Sequence, residues 1–115
     1  MGKKLLSIII PCYNEEKTVE TIYVAITDTM DMLPQYDYEI LFVNDGSKDN
    51  TLNKLIGLSE MDVHVKYYSF SRNFGKEAAI YAGLMNARGD YVVTMDADMQ
   101  DPPALLPEMI RILES

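Results

Sequence analysis

The feature that most constrains the fold of this chain is a recurring order of short apolar segment, polar loop and helix-compatible segment. The apolar segments are of strand length and nearly continuous in Ile, Leu and Val, as in Leu5–Pro11. Strands that are buried on both faces carry such continuous runs, whereas a strand with one wet face alternates. Strands separated by helices are joined as parallel βαβ units. The sequence therefore predicts an α/β fold with a mostly parallel, Rossmann-like sheet and flanking helices.

This order occurs four times along the chain. Strands are predicted at Leu5–Pro11, Tyr38–Asn44, Val63–Ser71 and Tyr91–Met95. Helices are predicted over 19–33, from a cap at Asp49 or Asn50, over Lys76–Ala87, and from Pro102 to about Glu114. Arg88 and Gly89 are interpreted as the basic last turn and glycine cap of the third helix. Residues 1–115 are predicted to form one domain, since no linker divides them and their number suffices for one core.

Charge and composition exclude several classes of partner. The formal net charge is −8, and nucleic acids are bound through basic surface, so we expect no nucleic-acid partner. A bound anion would need a metal ion, a helix N-terminus or a few placed cations to offset this acidity. Apolar runs stay below the ~18 residues of a membrane-spanning helix, so no membrane segment is expected. Cys12 is the only cysteine, which fits a reducing, cytoplasmic compartment.

The candidate site consists of the polar residues directly after each strand, because ligands of parallel sheets bind at the carboxyl ends of the strands. Asp96 and Asp98 form a D-x-D pair after the fourth strand, and Gln100 repeats the spacing. Mg²⁺ and Mn²⁺ prefer oxygen ligands and are often held by one or two carboxylates plus substrate phosphates. The same spacing in 37–39 and 60–62 does not follow a strand, so position singles out the D-x-D pair. The alternative interpretation is a solvated acidic loop.

Two further loops offer contacts for a nucleotide. Asp45 is either an ordinary Asp-Gly turn residue or an acceptor for an N–H group of a nucleobase. Arg72, Asn73 and Lys76 bracket the start of the third helix, where backbone N–H groups and cations suit a phosphate. An exposed loop before an ordinary helix is the alternative. Gly75 is expected to supply a positive φ angle.

Two potentially reactive side chains are assigned structural roles. His64 has no chemical partner nearby in sequence and lies on a predicted strand. Cys12 has no adjacent base and is expected to be a small residue of the core or a loop.

Taken together, the four post-strand segments resemble the motifs of the family 2 glycosyltransferases. The segments are SIIIPCYNEE, VNDGSKDNT, SRNFGKEAA and DADMQDPP, in this order. The resemblance covers essentially the whole chain. It is to the branch of dolichyl-phosphate mannose synthase and the bacterial polyprenyl-phosphate (bactoprenol) glucosyltransferases. It implies a GT-A fold and inverting, metal-dependent transfer of a sugar from a UDP- or GDP-sugar. The acceptor implied is a polyprenyl phosphate, in the synthesis of cell-envelope polysaccharide.

The resemblance also implies roles for individual residues. The residues that it assigns to the nucleotide-sugar donor are Pro11, Tyr13, Asn14, Glu15, Val43, Asp45, Arg72, Lys76, Asp96, Ala97 and Asp98. Those assigned to the metal ion, Mg²⁺ or Mn²⁺, are Asp96, Asp98 and Gln100. Asp98 and Asp96 also carry the catalytic assignment, because the metal of this family neutralises the diphosphate leaving group.

Members of this family extend well past the D-x-D loop, into acceptor-binding strands and often into membrane helices. We therefore expect the chain to be the donor-binding half of a GT-A domain, truncated after the D-x-D motif and inactive in transfer on its own. The longer protein is expected to act at the cytoplasmic face of the membrane.

Other function classes have their own sequence requirements. A nucleotide-binding module without transferase activity remains open and would be distinguished by turnover of the longer protein. A receiver-type signalling domain is disfavoured, because the third strand ends in Ser71 and Arg72 where a phosphorylatable Asp is needed. A nicotinamide-binding domain would show G-x-G-x-x-G after the first strand. A sugar nucleotidyltransferase would ordinarily show a glycine-rich basic loop there.

Overall fold

The computed structural model describes residues 2–100 and 102–115. The strands are β1 (Lys4–Cys12), β2 (Tyr36–Asn44), β3 (Val65–Ser69) and β4 (Tyr91–Thr94). The α-helices are α1 (Val19–Asp31), α2 (Thr51–Met61), α3 (Lys76–Asn86) and α4 (Leu106–Glu114). The predicted domain 1–115 and the segment DADMQDPP each include one residue outside the described set, Met1 and Asp101 respectively.

The four strands form one parallel sheet in the order β3-β2-β1-β4. At the centre, Ile9 pairs with Leu41 of β2 on one side and with Thr94 of β4 on the other. β2 thus pairs with one side of β1 and β3 with the far side of β2, whereas β4 pairs with the opposite side of β1. Such a switch leaves a crevice at the carboxyl ends of the strands. The predicted parallel α/β sheet is confirmed.

Successive residues of β1 face two different helical layers. Leu6, Ile8 and Ile10 belong to the main core, with residues of α1, α2 and α4. Ile9 faces α3 on the opposite side, where a Cβ atom on Gly83 would lie 2.5 Å from Ile9 Cγ2. All three core residues and Ile9 are fully buried. This two-sided burial explains why β1 lacks the alternation of a strand with one solvated face.

The end of α3 differs from the prediction. The helix ends at Asn86, and neither Arg88 nor Gly89 belongs to its last turn or caps it. Instead, the Arg88 N–H donates to a carboxylate oxygen of Glu39, and the Gly89 N–H donates to Ser7 Oγ, both at 2.8 Å. A Cβ atom on Gly89 would lie 2.6 Å from Ser7 Oγ. The glycine therefore permits a close approach to β1, and buried polar groups on the sheet bind the backbone that the sequence assigned to the helix end.

β3 is shorter than the predicted 63–71. Val63 is 91% exposed, and the chain before the strand forms a turn in which Asp62 accepts the N–H groups of His64 and Val65. At the other end, pairing with β2 stops at Ser69. At the beginning of the predicted strand, the chain thus forms turn hydrogen bonds instead of the hydrogen bonds of a β-ladder.

The last helix also begins later than predicted. The chain first makes a 3-10 turn over Pro103–Leu105, in which the Leu105 N–H donates to the Pro102 carbonyl at 2.9 Å. α4 follows directly. Within the described residues, no helix combines the length and the apolar character needed to cross a membrane.

Candidate functional site

A cleft of about 620 Å³ opens at the carboxyl ends of the strands. Its volume is in the range of small-molecule sites, about 300–1,000 Å³. The residues that line it are Pro11, Cys12, Tyr13, Glu15, Asp45, Asn73, Gly75, Lys76, Asp96, Ala97, Asp98 and Gln100. All four post-strand loops contribute, so the parallel sheet brings together polar residues that lie far apart in sequence. Asn73, which the sequence placed in the candidate phosphate loop but not among the residues assigned to the donor, also lines the cleft.

Three predicted site residues lie outside this lining. The exposed Asn14 has a φ of 54° and its side-chain oxygen accepts the Lys48 N–H at 2.8 Å. Val43 is fully buried and paired with Pro11 of β1. The Arg72 guanidinium lies over the Phe74 ring, 4.7 Å from its centre. Each of the three thus has a structural contact within the loops or the sheet, and their contacts with a nucleotide stay predictions.

Asp45 holds the loop that leads into α3. It is only 3% exposed, and its Oδ1 accepts the Phe74 N–H at 2.7 Å. Its Oδ2 accepts the Gly75 N–H and the Asn73 side-chain N–H, each at 3.0 Å. Three donors use most of the acceptor capacity of a carboxylate. Asp45 therefore does more than form a turn, because it joins the loop after β2 to the loop before α3.

The backbone next to Asp45 also contacts the loop that precedes α3. Gly46 has a φ of 67°, and a Cβ atom there would lie 2.1 Å from the Arg72 carbonyl carbon and 2.3 Å from the Asn73 nitrogen. The two loops thus touch backbone to backbone, which only a residue without a side chain allows.

The loop after β1 is held by the start of α2. The Glu15 N–H donates to Thr51 Oγ1 at 2.9 Å, and the Glu16 N–H donates to Asp49 Oδ2 at 3.3 Å. Asn50 occupies the cap position without a side-chain bond to the helix, while Asp49 Oδ1 accepts the Thr51 N–H at 3.0 Å. Of the two predicted caps, Asp49 supplies the side-chain bond. Burial raises the pKa of Asp49, but hydrogen bonds from Thr51 and from backbone N–H groups outweigh burial and keep the pKa below its ordinary value.

The D-x-D loop continues from β4 with a strained backbone. The Met95 N–H donates to the Ile9 carbonyl at 2.9 Å, which continues the strand ladder to the edge of the cleft. Asp98 Oδ1 then accepts the Gln100 N–H at 3.1 Å. Between them, Met99 has a φ of 68°, a left-handed conformation that costs an ordinary residue about 1–2 kcal/mol. Strain of this kind is typical of functional loops.

The side chains of this loop fit a hard divalent cation. Asp96, Asp98 and Gln100 all lie at the cleft and offer oxygen atoms. Within residues 2–100 and 102–115, no three His, Cys, Asp or Glu side chains form a group that could hold a metal on their own. Mg²⁺ is usually bound through one or two carboxylates and completed by water and substrate phosphates. The donor set is therefore suited to a metal that arrives together with a phosphorylated ligand.

The beginning of α3 places positive charge at the cleft. Gly75, at the cap of this helix, has the predicted positive φ, 107°. Lys76 is the first helical residue, and its ammonium forms an ion pair with Asp96. The amino end of a helix carries a partial positive charge that attracts anions. The cleft thus combines carboxylates on one side with a cation and a helix N-terminus on the other.

Cys12 is a buried core residue, as predicted, whereas His64 lies outside the strand that the sequence predicted and has a partner two residues away. Burial, together with the nearby Glu15 carboxylate, raises the pKa of the Cys12 thiol well above its usual range, which keeps the thiol protonated near neutral pH. His64 lies just before β3, where its Nδ1 is 2.7 Å from Asp62 Oδ1 and its ring stacks on Tyr38.

GT-A glycosyltransferase domains share this arrangement of a parallel sheet with an oxygen-rich cleft at its switch point. The chain belongs to glycosyl transferase family 2, whose model matches residues 7–115. The resemblance to this family inferred from the four motifs is therefore confirmed.

Individual relatives agree with this assignment. The chain is 48% identical over 105 residues to an uncharacterized glycosyltransferase, YkcC, of Bacillus subtilis, covering 91% of this chain and 32% of the relative. It is 42% identical over 106 residues to the bactoprenol glucosyl transferase of Shigella phage SfV, covering 92% and 34%. The chain thus spans about a third of the length of the curated relatives it matches.

A solved structure shows the same fold. The mannosyltransferase PcManGT from Pyrobaculum calidifontis, in complex with GDP-Man and Mn²⁺, matches with a TM-score of 0.83 at 22% sequence identity. The match covers 98% of this chain and 33% of that one. At this identity, the similarity establishes the GT-A fold.

Proposed function

We propose that the chain is the donor-binding part of an inverting glycosyltransferase that uses a UDP- or GDP-sugar together with Mg²⁺ or Mn²⁺. The observation that carries this proposal is the meeting of Asp96 and Asp98 with Lys76 and the amino end of α3 in one cleft. A nucleotide diphosphate is the ligand whose charge suits both sides. Its phosphates are attracted by the cationic side and, through a shared metal ion, by the acidic side.

The bound metal would act as a Lewis acid that stabilises the charge developing on the diphosphate leaving group. The chain's own residues hold the donor in place. Asp98 and Gln100 would hold the ion, and Asp96 would bind the ion or a ribose hydroxyl. Tyr13 lines the cleft and is 43% exposed, so its ring can pack against the nucleoside. Glu15 and Asp45 supply acceptors for ribose and base N–H or O–H groups.

The acceptor belongs to the proposal for the whole protein. One relative is named a bactoprenol glucosyl transferase, which supports a polyprenyl phosphate as the acceptor and a role in cell-envelope polysaccharide. We place the reaction at the cytoplasmic face of the membrane, where such an acceptor meets a soluble nucleotide sugar. A nucleotide-binding module without transferase activity is not favoured, because both the family and the named relatives are glycosyltransferases.

Calorimetric titration of the chain with UDP and with GDP, each with and without Mn²⁺, tests the donor site. We expect one of the two nucleotides to bind in the presence of Mn²⁺ and to bind much more weakly without it. Nucleotide binding that is equally tight with and without Mn²⁺, or no binding of either nucleotide, would contradict a metal-dependent donor site. The identity of the nucleotide that binds would define the donor class.

A further inference from the structure

The Lys76–Asp96 ion pair joins the two sides of the cleft. Lys76 is the first residue of α3, and Asp96 is the first acidic residue of the D-x-D motif, 20 positions later. The ammonium is bound to Asp96 Oδ1, one of the oxygen atoms that a metal ion would use. A cation of the protein therefore lies where the D-x-D pair would otherwise present its charge to a metal.

The surroundings allow this pair to open. The Lys76 side chain is 60% exposed and that of Asp96 is 27% exposed, so water can solvate both groups after separation. Both residues also line a second cavity of about 150 Å³, next to the main cleft, together with Pro11 and Ile80. Solvent-exposed ion pairs are weak, typically less than about 1 kcal/mol. The contact with Asp96 can thus be exchanged when a stronger partner arrives.

The loop that carries Lys76 is in contrast rigidly placed. Asp45 binds the N–H groups of Phe74 and Gly75, directly before Lys76, and Gly46 touches the backbone of the same loop. The exchange of partners is therefore a movement of the long, flexible lysine side chain on a fixed helix start. It needs no rearrangement of the backbone.

We propose that Lys76 is an exchangeable cation that pairs with Asp96 in the empty site and moves to the diphosphate when the donor binds. This inference rests on the proposed donor site and describes how the metal and the diphosphate bind there. In the empty site, the ammonium competes with a metal ion for Asp96, so the metal alone binds weakly. With a diphosphate present, the ammonium binds phosphate oxygens and releases Asp96. Lys76 thereby makes binding of the metal and of the diphosphate mutually favourable, and this coupling must be reciprocal.

The proposal makes predictions of opposite sign for the two ligands. In Lys76→Gln, Mn²⁺ alone should bind more tightly, by roughly two- to fivefold, because a competing charge near the site is removed. UDP or GDP in the absence of metal should bind more weakly by a similar factor. The enhancement of nucleotide affinity by Mn²⁺ should therefore be smaller in Lys76→Gln than in the unmodified chain. General damage to the cleft would instead lower the affinity for both Mn²⁺ and the nucleotide.

The experiment measures Mn²⁺ binding by the electron paramagnetic resonance signal of the free ion, and nucleotide binding by calorimetry with and without Mn²⁺. Lys76→Arg retains the charge and should keep Mn²⁺ affinity near that of the unmodified chain. Lys3→Gln is the matched control, because it removes the same charge before β1, at the end of the strand opposite the cleft. Circular dichroism of each variant checks that the fold is retained, as expected for an exposed side chain.

The outcomes separate this inference from the proposed function. If the unmodified chain binds nucleotide with Mn²⁺ but Lys76→Gln binds Mn²⁺ alone no more tightly, the exchange is wrong and the donor site stands. The same conclusion follows if Lys3→Gln tightens Mn²⁺ binding equally, since the effect is then one of net charge. If no variant binds Mn²⁺ or nucleotide under any condition, both proposals are wrong.

Discussion

The carboxylate of Asp45 accepts the backbone N–H of Phe74 at 2.7 Å, across 29 positions of the sequence. This bond places the start of α3 relative to the end of β2. Since Lys76 follows two residues after Phe74, the position of the cationic side of the cleft depends on a buried acidic side chain from another loop. Asp45 is therefore a positioning residue whether or not it also contacts a nucleobase.

Replacing Asp45 by Asn should destabilise the chain. An amide keeps one acceptor oxygen but directs N–H donors at the N–H groups of the 73–75 loop, which leaves buried donors unsatisfied. We expect a loss of about 1–3 kcal/mol in the free energy of unfolding, measured with urea. Asp28→Asn, at an exposed position of α1, is the matched control and should be close to neutral. An Asp45→Asn variant of unchanged stability that loses only nucleotide binding would argue for base recognition alone.

Two glycines should respond in opposite directions to an added methyl group. Gly46→Ala places a Cβ atom within 2.3 Å of two backbone atoms at a φ of 67°, so the loops must separate. We expect it to cost more than about 2 kcal/mol in unfolding free energy, combining strain with lost hydrogen bonds. Gly57→Ala lies in α2, where an added Cβ atom meets nothing within 4 Å. It should stabilise the chain by about 0.5–1 kcal/mol. Equal thermal stability of the two variants would contradict the close contact between the loops.

A buried carboxylate should make stability fall in acid. Glu39 is 4% exposed and accepts bonds from Ser7 Oγ at 2.6 Å, from the Arg88 N–H at 2.8 Å and from Lys66 Nζ at 3.0 Å. Burial raises the pKa of Glu39, but these hydrogen bonds and the charge of Lys66 outweigh burial and lower it. A lowered pKa in the folded state means that the unfolded state binds more protons. The stabilisation is therefore complete above the unfolded pKa, about 4.3, and is lost as the pH falls through the folded value.

Glu39→Gln tests this dependence. We expect it to lose about 1–3 kcal/mol at pH 7, because charge-assisted bonds are replaced by neutral ones. Its unfolding free energy should also decrease less steeply below about pH 4.3 than that of the unmodified chain. Glu60→Gln, at an exposed position of α2, serves as control. Parallel acid profiles for Glu39→Gln and the unmodified chain would show that another group causes the acid sensitivity.

The metal assignment predicts that Asp98→Ala abolishes metal-dependent nucleotide binding while the fold remains intact. Asp98 bonds only within its own loop among the described contacts, to the Gln100 N–H, so its loss should leave the core unchanged. Calorimetry with Mn²⁺ and circular dichroism measure the two effects. Asp37→Ala removes an exposed acidic residue at the amino end of β2, far from the cleft along that strand, and should bind normally. Unaltered binding by Asp98→Ala would mean that the metal site is misplaced.

The sequence by itself determined the order of strands and helices along the chain, and it determined the family. The apolar run of β1 and the polar residues after each strand are local patterns, because backbone periodicity and turn chemistry depend on neighbouring residues. They suffice to predict a parallel sheet, and in such a sheet the post-strand loops must meet at one edge. That inference alone places Asp96, Asp98 and Lys76 at one cleft.

Only the tertiary structure decided which partners these side chains have. The bonds of Asp45 to the 73–75 loop, of Lys76 to Asp96, and of Ser7 to Gly89 connect residues 20 to 82 positions apart. α3 ends at Asn86, and the last of these bonds holds the following Gly89 against β1, contrary to the local helix signals. Arg72 likewise faces Phe74 rather than the cleft. A side chain binds whatever the packed elements bring within about 3 Å of its polar atoms, and that neighbourhood is a property of the whole fold.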